Sequence, residues 1–407
     1  MVTPIIHQST LHGQDTPLDL VVLRHYPALL PGVRAMLAVF CSMALAERTR
    51  PLSVIFESGS GNGKTAVVQM AFPEPGCDPC GGLNTYVYRS DKFTPKAFVS
   101  HAANVKRNEL EKVDMLPRLR SKVLLTKELA PIFRGREEEL KETFSTLIAV
   151  LDGKGYTSDS GTHGRRGYSE SILFNWIGAT TPLPPATHRL MSQLGTRLLF
   201  FELPTVAFSD AELLAYAARD TADVAEKECQ HAVNEFLTTF FAAHPVGSVS
   251  PASVAIPEIE LRALVRWARL LVAGRAEVLF ERDGTNWVPV AAMPPEGPHK
   301  VINYLKDLAR GNALAHGRSE VNAADVDLVG EVSISSIPGT FRPVVRELRR
   351  NAPVDTQDVM RLCRVSAPTA RNYLDELRLL GIVKVVPGTQ KSVTTATLAR
   401  DFRWVGP

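Results

Sequence analysis

The chain has 407 residues, of which 45% are hydrophobic and 22% are charged, a composition that is ordinary for a globular protein and argues against a disordered one. The length is sufficient for two or three domains with cores of their own. The formal net charge of +3 is too small to indicate a partner, but residues 341–407 carry 12 Lys and Arg against 6 Asp and Glu. The basic residues are therefore concentrated in the C-terminal part.

The cysteines and the opening residues favour a cytoplasmic protein. Five cysteines is an odd number, and the first residues lack the cationic and apolar pattern of a leader. The apolar run Val33–Leu45 is interrupted by Arg34 and is too short to span a bilayer, so we expect no membrane segment. Cys77 and Cys80 form a lone C-x-x-C, which favours a simple loop over a zinc site.

In chain order, the predicted elements fall into four parts. Residues 1–25 are predicted as an N-terminal arm, loose up to about Asp19. Residues 26–204 alternate strands with helices, a pattern typical of a parallel sheet with helices on both faces. Residues 205–338 are predicted as a helical domain, and residues 339–407 as helices followed by short strands. The predicted strands of the second part are Ser53–Phe56, Thr85–Tyr88, Lys122–Thr126, Ile172–Ile177 and Leu198–Phe201.

A glycine-rich segment joins the first of these strands to the next helix. Glycines allow backbone N–H groups to turn inward around a phosphate, and the following helix begins at the anion. Lys64 is predicted to reach the β- and γ-phosphates of ATP, and the Thr65 hydroxyl to bind Mg²⁺. One residue departs from the strict G-x-x-x-x-G-K-[ST] pattern, since Ser58 replaces the first glycine. The predicted nucleotide-binding residues are Ser58, Gly59, Ser60, Gly61, Asn62, Gly63, Lys64 and Thr65.

Three further residues are predicted to complete the site. Glu128 is the only acid at the end of its strand, so it has to hold Mg²⁺, polarise the attacking water, or do both. The hydroxyl of Thr180 ends another apolar strand, where a γ-phosphate sensor is expected. Arg197 precedes the last strand and is predicted to reach the nucleotide of a neighbouring subunit, with Arg189 as the competing residue. The alternatives are a surface role for Glu128 and a solvated helix-end cation for either arginine.

The order of these segments resembles that of AAA+ ATPases. It comprises the phosphate loop, Leu-Leu-x-Lys-acid at 124–128, a Gly-rich hairpin, Gly-Ala-Thr-Thr-Pro at 178–182 and Leu-Gly-Thr-Arg-Leu-Leu at 194–199. More narrowly, the chain is similar over residues 26–338 to phage and mobile-element ATPases related to the MCM and MoxR branch. The resemblance implies an AAA+ core, a helical lid and a hexameric ring that binds ATP between subunits. In that branch the lid helix opens with Pro-Arg, whereas here Pro298 is followed by His299.

The resemblance also implies DNA contacts. MCM-like proteins carry a pore hairpin at the position of residues 153–168, so Lys154, His163, Arg165 and Arg166 are candidates for phosphate contacts, and Tyr156 for stacking on a base. The alternative is an ordinary mobile surface loop.

Residues 339–407 resemble a winged helix-turn-helix. Asp355 or Thr356 is predicted to cap a short helix, and a second helix is predicted to begin at Ser366 and continue through Leu380, with wing strands after it. The exposed face of the second helix presents three candidates for DNA contacts. These are Thr369, Arg371 and Asn372. Protein docking or packing within a ring is the alternative role for such a domain.

These patterns together favour an ATP-hydrolysing motor that moves along DNA or remodels a DNA-bound complex. Two alternatives remain open: a MoxR-like ATPase that remodels proteins, and a nucleotide-sensing DNA-binding regulator with little turnover.

Overall fold

Five parallel strands form the central sheet of this computed structural model, in the order β2-β3-β6-β1-β7. This confirms the predicted mixed α/β fold. Their bounds are β1 Ser53–Glu57, β2 Val87–Arg89, β3 Val123–Thr126, β6 Asn175–Thr180 and β7 Leu199–Glu202. The structure describes residues 15–74, 82–99, 109–134, 136–160, 164–184, 187, 195–205, 209–211, 214, 222–350, 352–386, 395–399 and 402.

The two faces of the sheet enter two separate hydrophobic clusters. Val54 and Phe56 of β1 belong to one cluster and Ile55 to the other, because successive side chains of a strand point to opposite faces. All five residues of β1 are buried. A strand that is buried on both faces loses the alternation of apolar and polar residues, which explains the continuous apolar runs in the sequence.

Helices cover both faces. They are α1 Pro17–His25, α2 Leu30–Cys41, α3 Lys64–Met70, α4 Leu110–Val113, α5 Met115–Arg118, α6 Glu137–Leu151 and α7 Ala222–Ala243. The segment Pro27–Ala44 is apolar and long enough to cross a membrane, but 83% of it is buried within the fold, as in the core helix of a globular domain.

Two predictions near the strands and the N-terminus need correction. Residues 17–25 were expected in the N-terminal arm, but they form α1, which is capped by Thr16 and packs against α7. Its buried Asp19 forms an ion pair of 2.9 Å with the mostly buried Arg34, and this pair holds the helix on the core. The strand predicted at Ile172–Ile177 begins at Asn175 and ends at Thr180.

The next part contains three packed helices, α8 Glu258–Gly274, α9 His299–Ala315 and α10 Ala323–Ser335. The helix α9 lies directly against α2, since a Cβ atom built on Gly311 would lie 2.0 Å from the carbonyl oxygen of Ala38. An antiparallel hairpin that the sequence did not indicate, β8 Val278–Asp283 and β9 Asn286–Ala292, connects α8 to α9.

The C-terminal part has three helices and a small antiparallel sheet in the order β10-β12-β11. The predicted cap of its second helix is confirmed at Asp355, whose side chain accepts a hydrogen bond of 2.8 Å from the backbone N–H of Asp358. The elements are α11 Arg342–Arg349, β10 Val354–Asp355, α12 Thr356–Cys363, α13 Ala367–Leu379, β11 Val383–Val386 and β12 Thr395–Leu398.

Candidate nucleotide and DNA sites

The glycine-rich loop lies at the carboxyl end of β1, in the middle of the sheet. Gly61 and Gly63 have φ of 85° and 78°, in the left-handed region that favours glycine. Gly63 also lies against Leu29, whose Cδ2 would be 2.7 Å from a Cβ atom at this position. Lys64, the first residue of α3, is buried. The loop therefore has the curled backbone and the enclosed cation that a triphosphate requires.

The carboxyl ends of β1, β3 and β6 meet at one edge of the sheet and bring the predicted residues together. Glu57, the last residue of β1, pairs in register with Thr180 of β6. The Leu129 N–H, one residue after Glu128, donates to the Ala179 carbonyl oxygen at 2.7 Å. Open parallel sheets bind ligands outside the carboxyl ends of their strands. The loop, Glu128 and Thr180 therefore share the edge at which such sites form.

Lys127, the residue before Glu128, forms an ion pair with a nearby carboxylate. Its ammonium lies 3.3 Å from the Asp91 carboxylate, after β2. Partial burial opposes ionisation of Asp91, but hydrogen bonds from Arg89 and Lys127 outweigh this effect and lower the pKa of its carboxyl. Glu128, which is half-buried, accepts a hydrogen bond of 2.9 Å from the Ala130 N–H. The roles of Glu128 in metal binding and water activation stay predictions.

The two threonines after β6 differ in exposure. The Thr180 side chain is buried and donates a hydrogen bond of 3.0 Å to the Thr181 carbonyl oxygen. Thr181 is partly exposed, and its hydroxyl oxygen accepts a hydrogen bond of 3.1 Å from the Arg134 guanidinium. Arg134 lies in a loop outside every sequence motif, so no pattern in the sequence indicated it. It adds a positive charge to the edge that carries the phosphate loop.

Arg197 lies just before the amino end of β7, at the end of the parallel strands opposite to the phosphate loop. Its side chain is 11% exposed and forms an ion pair of 3.1 Å with Asp152 of the same chain. Nearby, Arg275 is buried, which lowers the pKa of its guanidinium to about 10. Arg197 and the phosphate loop therefore lie at opposite ends of the strands, and the role of Arg197 towards a neighbouring subunit stays a prediction. Its competitor Arg189 lies outside the described residues, as do Cys77, Cys80 and His163.

The start of the helix α9 lies on the same side as Arg197. Glu296, three residues before His299, accepts a hydrogen bond of 2.7 Å from the backbone N–H of Thr196. His299 itself is exposed.

The predicted Gly-rich hairpin is formed by β4 Tyr156–Ser160 and β5 Gly164–Tyr168. Lys154 and Arg165 are exposed, so they are available for phosphate contacts. Arg166 is half-buried, and Tyr156 is packed against one of the two hydrophobic clusters. Packing leaves less of the Tyr156 ring for a base than the prediction assumed, whereas Lys154 and Arg165 remain suitable.

The helix α13 carries the other DNA-contact candidates, and part of its surface is covered. The Asn372 side chain donates a hydrogen bond of 3.0 Å to the Trp287 carbonyl oxygen of β9. The hydroxyl groups of Thr369 and Ser366 form a hydrogen bond of 3.0 Å, and Arg371 is exposed. Asn372 is thus used within the chain, which the sequence could not indicate because the hairpin β8–β9 was not predicted.

Four carboxylates of the core and the second part bind arginines of α11, and none of these pairs was predicted. Arg342 lies 2.7 Å from Glu57, and Arg346 lies 2.6 Å from Glu202 at the end of the neighbouring strand β7. Arg349 contacts Asp327 at 2.6 Å and Glu331 at 2.8 Å. Much of the basic charge of this helix is therefore used to hold the C-terminal part on the rest of the chain.

Comparison with known proteins finds a likeness among solved structures. No protein-family model matches the chain, and no curated protein is significantly similar to it. Among the solved structures that it resembles is a full-length MCM homolog from Methanopyrus kandleri, with a TM-score of 0.40 and 13% identity. The match covers 79% of this chain and 58% of that homolog. The chain therefore spans less than two thirds of the homolog's length.

Proposed function

We propose that the chain is an ATP-hydrolysing motor of the AAA+ type that works as a ring on DNA or on a DNA-bound complex. The observation that carries the proposal is the phosphate loop. Gly61 and Gly63 adopt the left-handed backbone that the loop needs, and Lys64 is enclosed where the loop meets α3. ATP and Mg²⁺ are the ligands that this arrangement suits.

The proposed roles follow from position on the sheet edge. Backbone N–H groups of residues 59–65 hold the phosphates, Lys64 neutralises their charge, and the Thr65 hydroxyl binds Mg²⁺. Glu128 binds the metal through water and polarises the attacking water, while Thr180 or its neighbour Thr181 contacts the γ-phosphate. Arg197 of a neighbouring subunit supplies charge to the γ-phosphate in the ring.

The first test is the binding of a fluorescent ATP analogue with Mg²⁺. We expect Lys64→Ala to abolish binding and Glu128→Gln to retain binding but stall hydrolysis, because only the first removes the positive charge that neutralises the phosphates. Lys141→Ala is the matched control, since Lys141 is an exposed lysine whose ion pair with Glu137 lies on the surface of α6. Failure of the unaltered protein to bind any adenine nucleotide would refute the proposal.

The second test concerns the ring. Subunits carrying Lys64→Ala have no functional loop, and subunits carrying Arg197→Ala supply no charge to a neighbour. When the two are mixed, some interfaces combine an intact loop with an intact arginine, so we expect part of the ATPase activity to return. If no mixing ratio restores activity, Arg197 does not act between subunits.

A specific observation favours the protein-remodelling ATPase as a second candidate. Asn372 binds the hairpin β8–β9, and Arg342, Arg346 and Arg349 bind carboxylates elsewhere in the chain. These contacts use side chains that the basic composition suggested for DNA, which favours a C-terminal part that packs within the molecule.

DNA-stimulated ATP hydrolysis separates the candidate functions. Stimulation by DNA supports the motor, and hydrolysis that is independent of DNA supports the protein remodeller. Tight DNA binding without turnover supports the nucleotide-sensing regulator.

A further inference from the structure

The phosphate loop is attached to the C-terminal part of the chain through a buried ion pair. Glu57 precedes the loop, and Arg342 is the first residue of α11. Both are almost fully buried, with relative exposures of 2% and 2%, and their charged atoms are 2.7 Å apart. Since an isolated buried charge is costly, each of these side chains depends on the other.

The remaining contacts of the two residues fix their positions. One carboxylate oxygen of Glu57 accepts a hydrogen bond of 3.0 Å from the Leu183 N–H, in the segment that follows β6. Arg342 donates to the Ile337 carbonyl oxygen at 3.0 Å. The carboxylate oxygen facing Arg342 makes no well-aligned hydrogen bond, so attraction between the charges is the main link. Glu57 thus connects the start of the phosphate loop to the segment after β6 and to α11.

The spacing of the arginines on α11 strengthens this link. Arg342, Arg346 and Arg349 recur at helical spacing and therefore lie on one face. Arg342 and Arg346 contact Glu57 and Glu202, which are register partners on β1 and β7. Arg349 instead forms ion pairs with the helix α10 and lies over the Trp267 ring of α8. Two arginines therefore hold the carboxyl edge of the sheet, and the third holds neighbouring helices.

On the basis of the proposed function, we infer that Arg342 is a positioning residue for nucleotide binding, through which the placement of α11 controls the conformation of the phosphate loop. Arg342 does not touch the nucleotide. It holds the Glu57 carboxylate, and Glu57 is continuous with Ser58, where the loop begins. Displacement of α11, by DNA or by a neighbouring subunit, would release this carboxylate and loosen the loop.

The inference is tested in the full-length chain by three measurements on Arg342→Gln and Arg342→Lys. These are the Kd of a fluorescent ATP analogue with Mg²⁺, the KM and kcat of hydrolysis, and amide hydrogen exchange of residues 58–65 without nucleotide. For Arg342→Gln we expect a rise in Kd and KM within the roughly 5- to 150-fold range that is typical of coupling between sites, and faster exchange of the loop. Arg342→Lys keeps the charge and should restore most of the affinity.

Arg349→Gln is the matched control, because it removes ion pairs of the same helix that do not reach the sheet. We expect its Kd and loop exchange to stay close to those of the unaltered protein, even if its melting temperature falls. Equal effects of Arg342→Gln and Arg349→Gln, or no effect of either, would overturn the inference.

If Arg342→Gln does not fold, the double variant Glu57→Gln with Arg342→Gln takes its place, since it leaves no unpaired buried charge. Loosened loop exchange in this variant supports the inference, and exchange equal to that of the unaltered protein overturns it. Exchange is measured without nucleotide, so this outcome is independent of whether the protein binds ATP. Absence of ATP binding by the unaltered protein would instead refute the proposed function.

Discussion

Replacement of Gly63 by alanine tests whether the curled loop is needed for nucleotide binding. The residue has a φ of 78°, and left-handed backbone costs a non-glycine residue about 1–2 kcal/mol. The added Cβ would lie 2.7 and 2.9 Å from the two Cδ atoms of Leu29, so Leu29 must shift. Overpacking of this kind costs about 1–3 kcal/mol. The loop conformation should therefore lose about 2–5 kcal/mol in total.

Gly61→Ala is the matched control. Its φ of 85° imposes the same backbone cost, but no atom lies within 4 Å of the added Cβ. Since each 1.4 kcal/mol changes an equilibrium constant tenfold, the steric part predicts that Gly63→Ala weakens ATP binding about 5- to 100-fold more than Gly61→Ala.

The assay is titration with a fluorescent ATP analogue, accompanied by thermal unfolding to exclude a global loss of structure. Combining Gly63→Ala with Leu29→Ala removes the clash, so the double variant should bind the ATP analogue more tightly than the sum of the two single effects predicts. The difference is the coupling energy between the two positions. Equal Kd values for Gly61→Ala and Gly63→Ala would show that contact with Leu29 does not constrain the loop.

Three further predictions concern stability and DNA. Gly311→Ala should lower the free energy of unfolding by more than the roughly 1–3 kcal/mol of ordinary overpacking, because the new Cβ meets the backbone of Ala38, which cannot rotate away. The melting temperature should fall accordingly, and an unchanged melting curve would contradict the packing of α9 on α2. Burial raises the pKa of Glu376 to about 7, above its unfolded value, so the stability it contributes is present below the unfolded pKa and is lost as pH rises through about 7. Thermal melts of Glu376→Gln should therefore show a gain over the unaltered protein at pH 8 that shrinks as the pH falls and disappears below about pH 4, and a gain independent of pH would refute the assignment. Lys154→Ala and Arg165→Ala should each weaken DNA binding and reduce the slope of log K against log salt by about 1, and slopes equal to that of the unaltered protein would exclude phosphate contacts.

The sequence predicted the sheet because its strands are local and continuous. Apolar runs such as Ser53–Phe56 are buried on both faces, so each one is recognisable without knowledge of its neighbours. The phosphate loop was identifiable for a similar reason, since its glycines, Lys64 and Thr65 are adjacent in the chain. The N-terminal helix α1 was missed because its main anchor, the ion pair between Asp19 and Arg34, joins residues that the prediction placed in different parts.

Contacts between distant segments were not predictable from the sequence. The hairpin β8–β9 has few residues buried within its own strands, and its contact with Asn372 depends on how two separate parts of the chain pack. Likewise, the basic composition of residues 341–407 suggested DNA binding, but composition cannot distinguish an arginine that faces solvent from one that binds Glu57 or Glu202. Only the fold shows that Arg342 and Arg346 bind carboxylates of the sheet edge.

The separation of Arg197 from the phosphate loop has a kinetic consequence. On the proposed assignment, a single subunit carries the phosphate loop and Arg197 at opposite ends of its sheet, so it cannot form a complete active site alone. Specific activity would then decline on dilution below the dissociation constant of the assembly, and it would recover when the protein is concentrated again. The specific activity would therefore rise with protein concentration and level off once the subunits are fully assembled.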